Sequence, residues 1–490
     1  MSNNDTLVQT RYGTVQGTHH GDICAWLDVP YAHATSGTAR FRAPRPPVPW
    51  TGARDATQYG AACPQKVMGP MKSIGTTLDE DCLHLNIWSP APDRAKRPVL
   101  VWIHGGAFVM GSSRVFTGRH LAEQGDIVVV AINYRLGVLG FVNFGEALGD
   151  DRIETNVGLR DQVAALRWVR DNIAAFGGDP DRVTIAGESA GSMSVSLLMH
   201  AAEARPLFHA AIVQSGALNL IHDREMSVTV AKRYLAELGV GTLEELQALP
   251  YARLQAAQAA VHKLGLETLP SAPWFDGELL PASLEAARAA PTPAVPLLAG
   301  FNRDEIRFFE LARGMLDLFL SRKNMADLAT RQLGAPAATR ALQAYPDTKA
   351  GNRELGTDMS FGMPTLHFAE RHAKTHPTWF YRFDFGNPII GAVHGIDLLY
   401  LWEMNGLIPF LLRGGPMWGH RARLTETLRA HWISFVRHGH PGADWPQFES
   451  SRHATMVFGR RIGVVDDTEQ GRRVGWSGVD CGPGMASGVV

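Results

Sequence analysis

Val183-Thr184-Ile185-Ala186-Gly187-Glu188-Ser189-Ala190-Gly191 sets a short strand directly against a G-x-S-x-G turn, and Ser192–His200 continues as a helical stretch. A serine on so tight a strand-to-helix turn is forced into a strained backbone conformation, and only small neighbours fit beside it. The helix that follows aims its amides and its positive dipole end at the serine, where negative charge is welcome. Upstream, Leu159, Val163, Leu166, Ile173 and Phe176 recur at helical spacing, closed by Gly177-Gly178. Further upstream lie two uniformly apolar runs, Pro98–Ile103 and Ile127–Ile132, of the kind buried on both faces of a parallel sheet. Strand, helix, strand, helix over residues 97–215 predicts an α/β protein with a doubly wound, mostly parallel sheet. Residues 217–290 and 312–376 read as Ala- and Leu-rich helical excursions from that sheet.

A nucleophilic serine needs donors for an oxyanion, a base and an acid. His104-Gly105-Gly106-Ala107-Phe108 follows a strand, and its glycines can present bare amides; the expected donors are the amides of Gly105, Gly106 and Ala190. Acid and base follow such a serine in the order Ser, acid, His. Of the 19 histidines, those well beyond residue 189 compete for the base. His394 lies in a small-residue loop, Gly391-Ala392-Val393-His394-Gly395, able to hold an imidazole at the sheet's edge. His367, His372, His376, His431, His438 and His440 sit in polar or helical contexts more typical of surface, and chemistry alone does not settle the choice. The strand Leu297–Gly300 leads into Asn302-Arg303-Asp304-Glu305, and either carboxylate could orient the imidazole. Chemistry alone does not separate Asp304 from Glu305.

Composition narrows the class. The 490 residues carry 47 Lys+Arg against 48 Asp+Glu, for a net charge of −1. That balance gives no electrostatic reason to expect nucleic acid or an anionic membrane as partner. At 45% hydrophobic and 19% charged the chain is globular, and one domain over residues 1–490 is expected. Cys24, Cys63, Cys82 and Cys481 are too scattered for a disulfide framework or a CxxC metal site. The start MSNNDTLVQTRYG has no signal-peptide pattern and no run reaches membrane-spanning length, so a cytoplasmic protein, monomeric or a small homo-oligomer, is expected.

The motifs also carry a family resemblance. Phe176–Gly191 (FGGDPDRVTIAGESAG) resembles in full the serine signature of the type-B carboxylesterases, which include bacterial para-nitrobenzyl esterases, liver carboxylesterases and cholinesterases. Glu80–Trp88 (EDCLHLNIW) is similar to a second family signature, with His84 where an aromatic or Thr is usual. Phe41–Pro44, Ala62–Gln65, Asn133–Arg135, Asn156–Leu159, Gln214–Gly216 and Asp276–Pro281 align in order, so the likeness runs from about Thr10 to Phe458. It implies an α/β-hydrolase fold with helical insertions over the active site. By position it makes Ser189 the nucleophile, Glu305 the acid and His394 the base. Glu188 and Asp397 become carboxylates around that triad and Ser194 a hydroxyl near it. It also implies a Cys63–Cys82 disulfide. The segment Pro64–Asp81 has no aromatic residue, whereas cholinesterases bind choline on a tryptophan there, so choline esters are not the expected substrates.

The expected function is hydrolysis of carboxylic esters with short or medium acyl groups, or of aromatic esters, with no metal and no cofactor. A specialised hydrolase of amides, carbamates or polyester- and phthalate-type substrates would use the same triad. A non-catalytic binding module of this fold would lack a triad member. Phe108, Met193, Trp274, Phe275, Phe308, Phe309 and Trp402 flank the functional loops as candidate pocket residues, though core packing accounts equally well for any one of them.

Overall fold

In the computed structural model, residues 3–67, 75–263, 269, 271–311, 322–386, 390–402, 418–477 and 479 are described. Three short strands, β1 (Leu7–Gln9), β2 (Thr14–Gln16) and β5 (Ala53–Asp55), make a small separate sheet. The main sheet has eleven strands. They are β3 (Thr18–His20), β4 (Ile23–Pro30), β6 (His84–Ser89), β7 (Arg97–Ile103), β8 (Val128–Ile132), β9 (Gly178–Glu188), β10 (Ala210–Gln214), β11 (Leu297–Asn302), β12 (Thr378–Phe383), β13 (Ala454–Phe458) and β14 (Ile462–Asp466). Across the sheet their order is β14-β13-β12-β11-β10-β9-β7-β8-β6-β4-β3. From β8 to β13 all neighbours are parallel, and both edges finish in antiparallel pairs.

The apolar runs read from the sequence are β7 and β8, and their alternation explains the layering. Val99, Val101 and Ile103 enter one core, with the helices Val157–Asn172 and Ala190–Leu198, while Leu100 and Trp102 enter the other, with Leu424, Leu428 and Trp432 of the helix Trp418–His438. A strand buried on both faces has no room for polar alternation, hence the continuous Val/Ile/Leu pattern. The chain leaves β7 toward β8 and returns as β9 on the other flank of β7. Connections diverge there, opening a crevice at the carboxyl ends of β7 and β9. Ile103 pairs with Gly187 across it, so His104-Gly105-Gly106 and Glu188-Ser189 leave the sheet side by side.

The described parts of the two excursions are helical, with Arg224–Leu238, Leu243–Ala248 and Tyr251–Lys263 in the first, and Arg322–Leu333, Ala335–Gln343, Lys349–Thr357 and Met363–Ala373 in the second. Residues 312–321 lie outside the described residues. A π-helical turn, Asp358–Gly362, links two of these helices. The helix Gln470–Gly475 is tied to that turn by buried polar contacts. Arg472 Nη1 lies 3.2 Å from Asp358 Oδ2, which also accepts the Tyr345 hydroxyl at 2.5 Å, and Trp476 Nε1 donates to Tyr345 Oη at 2.7 Å. No described helix is long and apolar enough to cross a membrane.

Candidate active site

Ser189 stands between β9 and the helix Ala190–Leu198 with φ 57° and ψ −124°, a combination that side chains avoid unless their surroundings impose it. The surroundings here are backbone. Ser189 N donates to Gln214 O at 2.9 Å, and a Cβ added at Gly191 would sit 2.0 Å from Ile103 O. The loop after β7 presses on the same turn: a Cβ at Gly105 would fall 2.6 Å from Glu188 O and 3.1 Å from Ser189 Cβ. Gly105 therefore lies against the serine turn, Gly106 follows it in the loop after β7, and Ala190 follows Ser189 at the start of the helix Ala190–Leu198.

His394 enters from the loop between β12 and β13. Its Nδ1 lies 2.6 Å from Glu305 Oε2 and its Nε2 3.3 Å from Glu188 Oε1. Glu305 is fully buried, and its other oxygen accepts from Ser215 Oγ at 2.6 Å and Asn302 N at 2.7 Å. A carboxylate so fully bonded is held as an acceptor in one orientation. Asp304 has a different partner: its Oδ2 accepts from Ala392 N at 2.8 Å while its own N donates to Ala392 O at 2.9 Å. The two adjacent acids thus divide the work that sequence chemistry could not apportion, Glu305 against the ring and Asp304 against the loop's backbone.

Electrostatics follow from burial and crowding. Removal from water raises the Glu188 carboxyl to about 8. Burial opposes the charged imidazolium of His394, but the carboxylates of Glu188 and Glu305 outweigh it and lift the ring to about 9. Asp397 is buried too, which raises its carboxyl; it accepts from Gln214 Nε2 at 2.9 Å and Asn302 Nδ2 at 3.1 Å. Glu188 thus lies against the His394 ring itself, while Asp397 is held by Gln214 and by Asn302, whose backbone N–H also serves Glu305. Ser194 does not join them: its hydroxyl accepts from Gln162 Nε2 at 3.1 Å because its helix turns it toward the helix Val157–Asn172. The hydroxyl on Glu305 is that of Ser215, whose φ of +63° and place in Gln214-Ser215-Gly216 are the signals that were there to find.

Aromatic rings enclose His394. Phe361 lies at 4.5 Å, Phe309 at 5.3 Å and Phe308 at 6.0 Å between ring centroids. Phe308 is 43% exposed, so the cluster opens to solvent through it. Phe361, on the π-helical turn, was not singled out, since nothing in its neighbourhood marks it. The other pocket candidates are buried. Phe108 packs on Phe141 at 4.9 Å, and Met193 and Phe275 lie in the same core. Trp274 is clasped through its backbone by the Asn156 amide. Trp402 is corrected to core, fully buried against Trp102 at 4.8 Å and Phe116 at 5.7 Å. Cys63 and Cys82 are buried free thiols here, the former accepting from Leu136 N at 3.2 Å. Among the described residues no group of three or more His, Cys, Asp or Glu could hold a metal ion.

The model of the carboxylesterase family matches residues 4–473. The para-nitrobenzyl esterase of Bacillus subtilis (strain 168) is 34% identical, covering 95% of this chain and 97% of its own. A phenmedipham hydrolase of Pseudarthrobacter oxydans is also 34% identical, over 92% of this chain and 95% of its own. Among solved structures, a thermophilic PNB esterase superposes with a TM-score of 0.89 at 33% identity, covering 96% of this chain and 99% of that one.

Proposed function

We propose, from the premise that this chain belongs to the carboxylesterase family and is a carboxylic ester hydrolase of the α/β-hydrolase fold, that its reaction runs through an acyl-enzyme on Ser189. The observation that carries this reading is the 2.6 Å contact from His394 Nδ1 to a wholly buried Glu305, with Ser189 strained on the adjacent turn. Ser189 Oγ attacks the ester carbonyl carbon while its proton passes to His394 Nε2. The carbonyl π electrons move onto oxygen, and the amides of Gly105, Gly106 and Ala190 receive that oxyanion. Collapse breaks the bond to the alcohol, whose oxygen takes the proton from His394. Water then repeats the sequence and frees the acid. Glu305 keeps Nδ1 protonated and stabilises the imidazolium between steps.

The aromatic cluster of Phe308, Phe309 and Phe361 supports uncharged esters with short or medium acyl groups, or aromatic ones, as substrates. Apolar burial contributes roughly 0.8 kcal/mol per methylene until the pocket ends. Likeness to a phenmedipham hydrolase supports testing that compound beside para-nitrophenyl esters of graded acyl length. A fluorophosphonate should label the protein once, at Ser189, and Ser189→Ala should lower turnover about 10⁵-fold or more. An adduct found by mass spectrometry at another residue would overturn the assignment.

A further inference from the structure

The loop after β7 holds a conformation that it would not keep alone. Gly106, Ala107 and Phe108 take φ values of 117°, 54° and 60° in succession, and Gly111 takes 124°. Left-handed non-glycine residues cost about 1–3 kcal/mol each and persist only where neighbours over-determine them. One neighbour does so from a distant part of the chain. Gln65, itself buried, donates from Nε2 to Gly111 O at 2.8 Å and to Cys63 O at 2.9 Å, and accepts from Gly111 N at 2.7 Å through Oε1. The side-chain amide thus reads both backbone groups of one residue, and both of its own N–H bonds are used.

Gly111 in turn bears on the peptide next to Ser189. A Cβ added there would lie 2.2 Å from His104 Nδ1 and 2.5 Å from Gly105 O. His104 Nδ1 already sits 2.9 Å from Gly105 O, burial holds that ring's pKa down at about 4 and so keeps it neutral, and Tyr134 stacks on it at 4.5 Å. In a trans peptide the C=O and the next N–H point to opposite sides. Fixing Gly105 O against His104 and Gly111 therefore turns the Gly106 N–H the other way, toward the serine turn that abuts Gly105.

We propose that Gln65 is a positioning residue for the oxyanion amides: by clamping Gly111 it locks the Gly105–Gly106 peptide in the orientation that receives the oxyanion. This rests on the acyl-enzyme reading given above. Gln65 touches no reacting atom, so its removal should loosen the transition state and leave ground-state binding alone.

The test compares wild type with Gln65→Met, which keeps the length and apolar stem but neither backbone contact. It uses a trifluoromethyl ketone, whose adduct on Ser189 carries an oxyanion. The expected result is a loss of about 10- to 100-fold in kcat with KM within about threefold. Ketone affinity should weaken by the same factor, with the pH profile of kcat/KM unmoved. Wild-type kcat and ketone affinity in Gln65→Met, with only Tm lowered, would reduce Gln65 to a structural role and overturn the proposal. A wild type that forms no ketone adduct on Ser189 would sink the acyl-enzyme reading and the clamp with it. Amide exchange in the wild type covers a variant that fails to fold: the Gly111 N–H should be protected, and exchange at the rate of a free amide overturns the clamp.

Discussion

Asp304 and Glu305 are neighbours in sequence with separate duties, and single substitutions should pull those duties apart. Glu305→Gln leaves His394 without its anionic partner and in the wrong tautomer, so kcat should fall by about 10³-fold or more. Asp304→Asn keeps an oxygen for Ala392 N and should cost less than about tenfold. A reversed order in steady-state kinetics would make Asp304 the orienting group. Glu188 gives a second prediction. His394 must be neutral to accept a proton, and its pKa is raised to about 9, so kcat/KM should climb with pH well past the unperturbed histidine value of about 6.5. Glu188→Gln removes one of the two carboxylates that lift it, and the acid limb should move down by about one pH unit. A limb that stays in place in a pH–rate series would mean that Glu188 does not set it.

The elements were legible where periodicity is strict. β7, β8 and the helix Val157–Asn172 lie where the apolar patterns put them, because a strand or helix buried by its neighbours must repeat the same residue types. β9 is longer than its apolar part: it runs back to Gly178 through Asp179 and Arg182, polar residues that fall between the Arg97–Gly178 and Val99–Val183 pairs, at a register irregularity that no composition announces. The strands β1, β2 and β5 are three residues each, too short for periodicity to show, and pairing rather than propensity makes them strands. The Ser189 turn was legible because strain admits only small neighbours, whereas His394 and Glu305 were picked out by the family resemblance, since residue chemistry left other histidines and Asp304 open. Ser215 and Gln65 were not, because a side chain that acts on another's orientation can come from any strand the fold brings near. Elements are also joined by charges the sequence shows without pairing. Arg135, after β8, donates to Asp161 of the helix Val157–Asn172 from its guanidinium at 2.7 and 2.8 Å and from its backbone N at 3.0 Å, with both side chains buried. Asp161→Asn alone should destabilise by about 3–5 kcal/mol in denaturant unfolding, and Arg135→Met with Asp161→Leu by much less. Equal losses would mean that packing, not the unpaired charge, is at stake.

The whole molecule should be most stable at a pH where it is not most active. Burial holds His104, His200, His222 and His372 at about 4, below their unfolded value, so their contribution is lost as pH falls from about 6.5 toward 4. His84 works the other way: burial opposes its charge, but Asp28 and Asp81 raise it to about 9, and stability present below about 6.5 is lost as pH rises through 9. Glu188 and His394, raised to about 8 and about 9, act in the same direction. Unfolding free energy should therefore peak near neutrality, while kcat/KM still rises on the alkaline side; coincident optima in chemical denaturation and rate measurements would refute this. The helix Gln470–Gly475 bears on the surroundings of His394 as well. Arg472 neutralises buried Asp358 on the turn whose Phe361 leans on His394, so the tail and the base share one support. Cleavage that removed Arg472 would leave buried Asp358, on the turn that carries Phe361, with the Tyr345 hydroxyl but without that guanidinium. Such clipping would then lower turnover and the rate of fluorophosphonate labelling at Ser189 together, since both need His394 to take the serine proton.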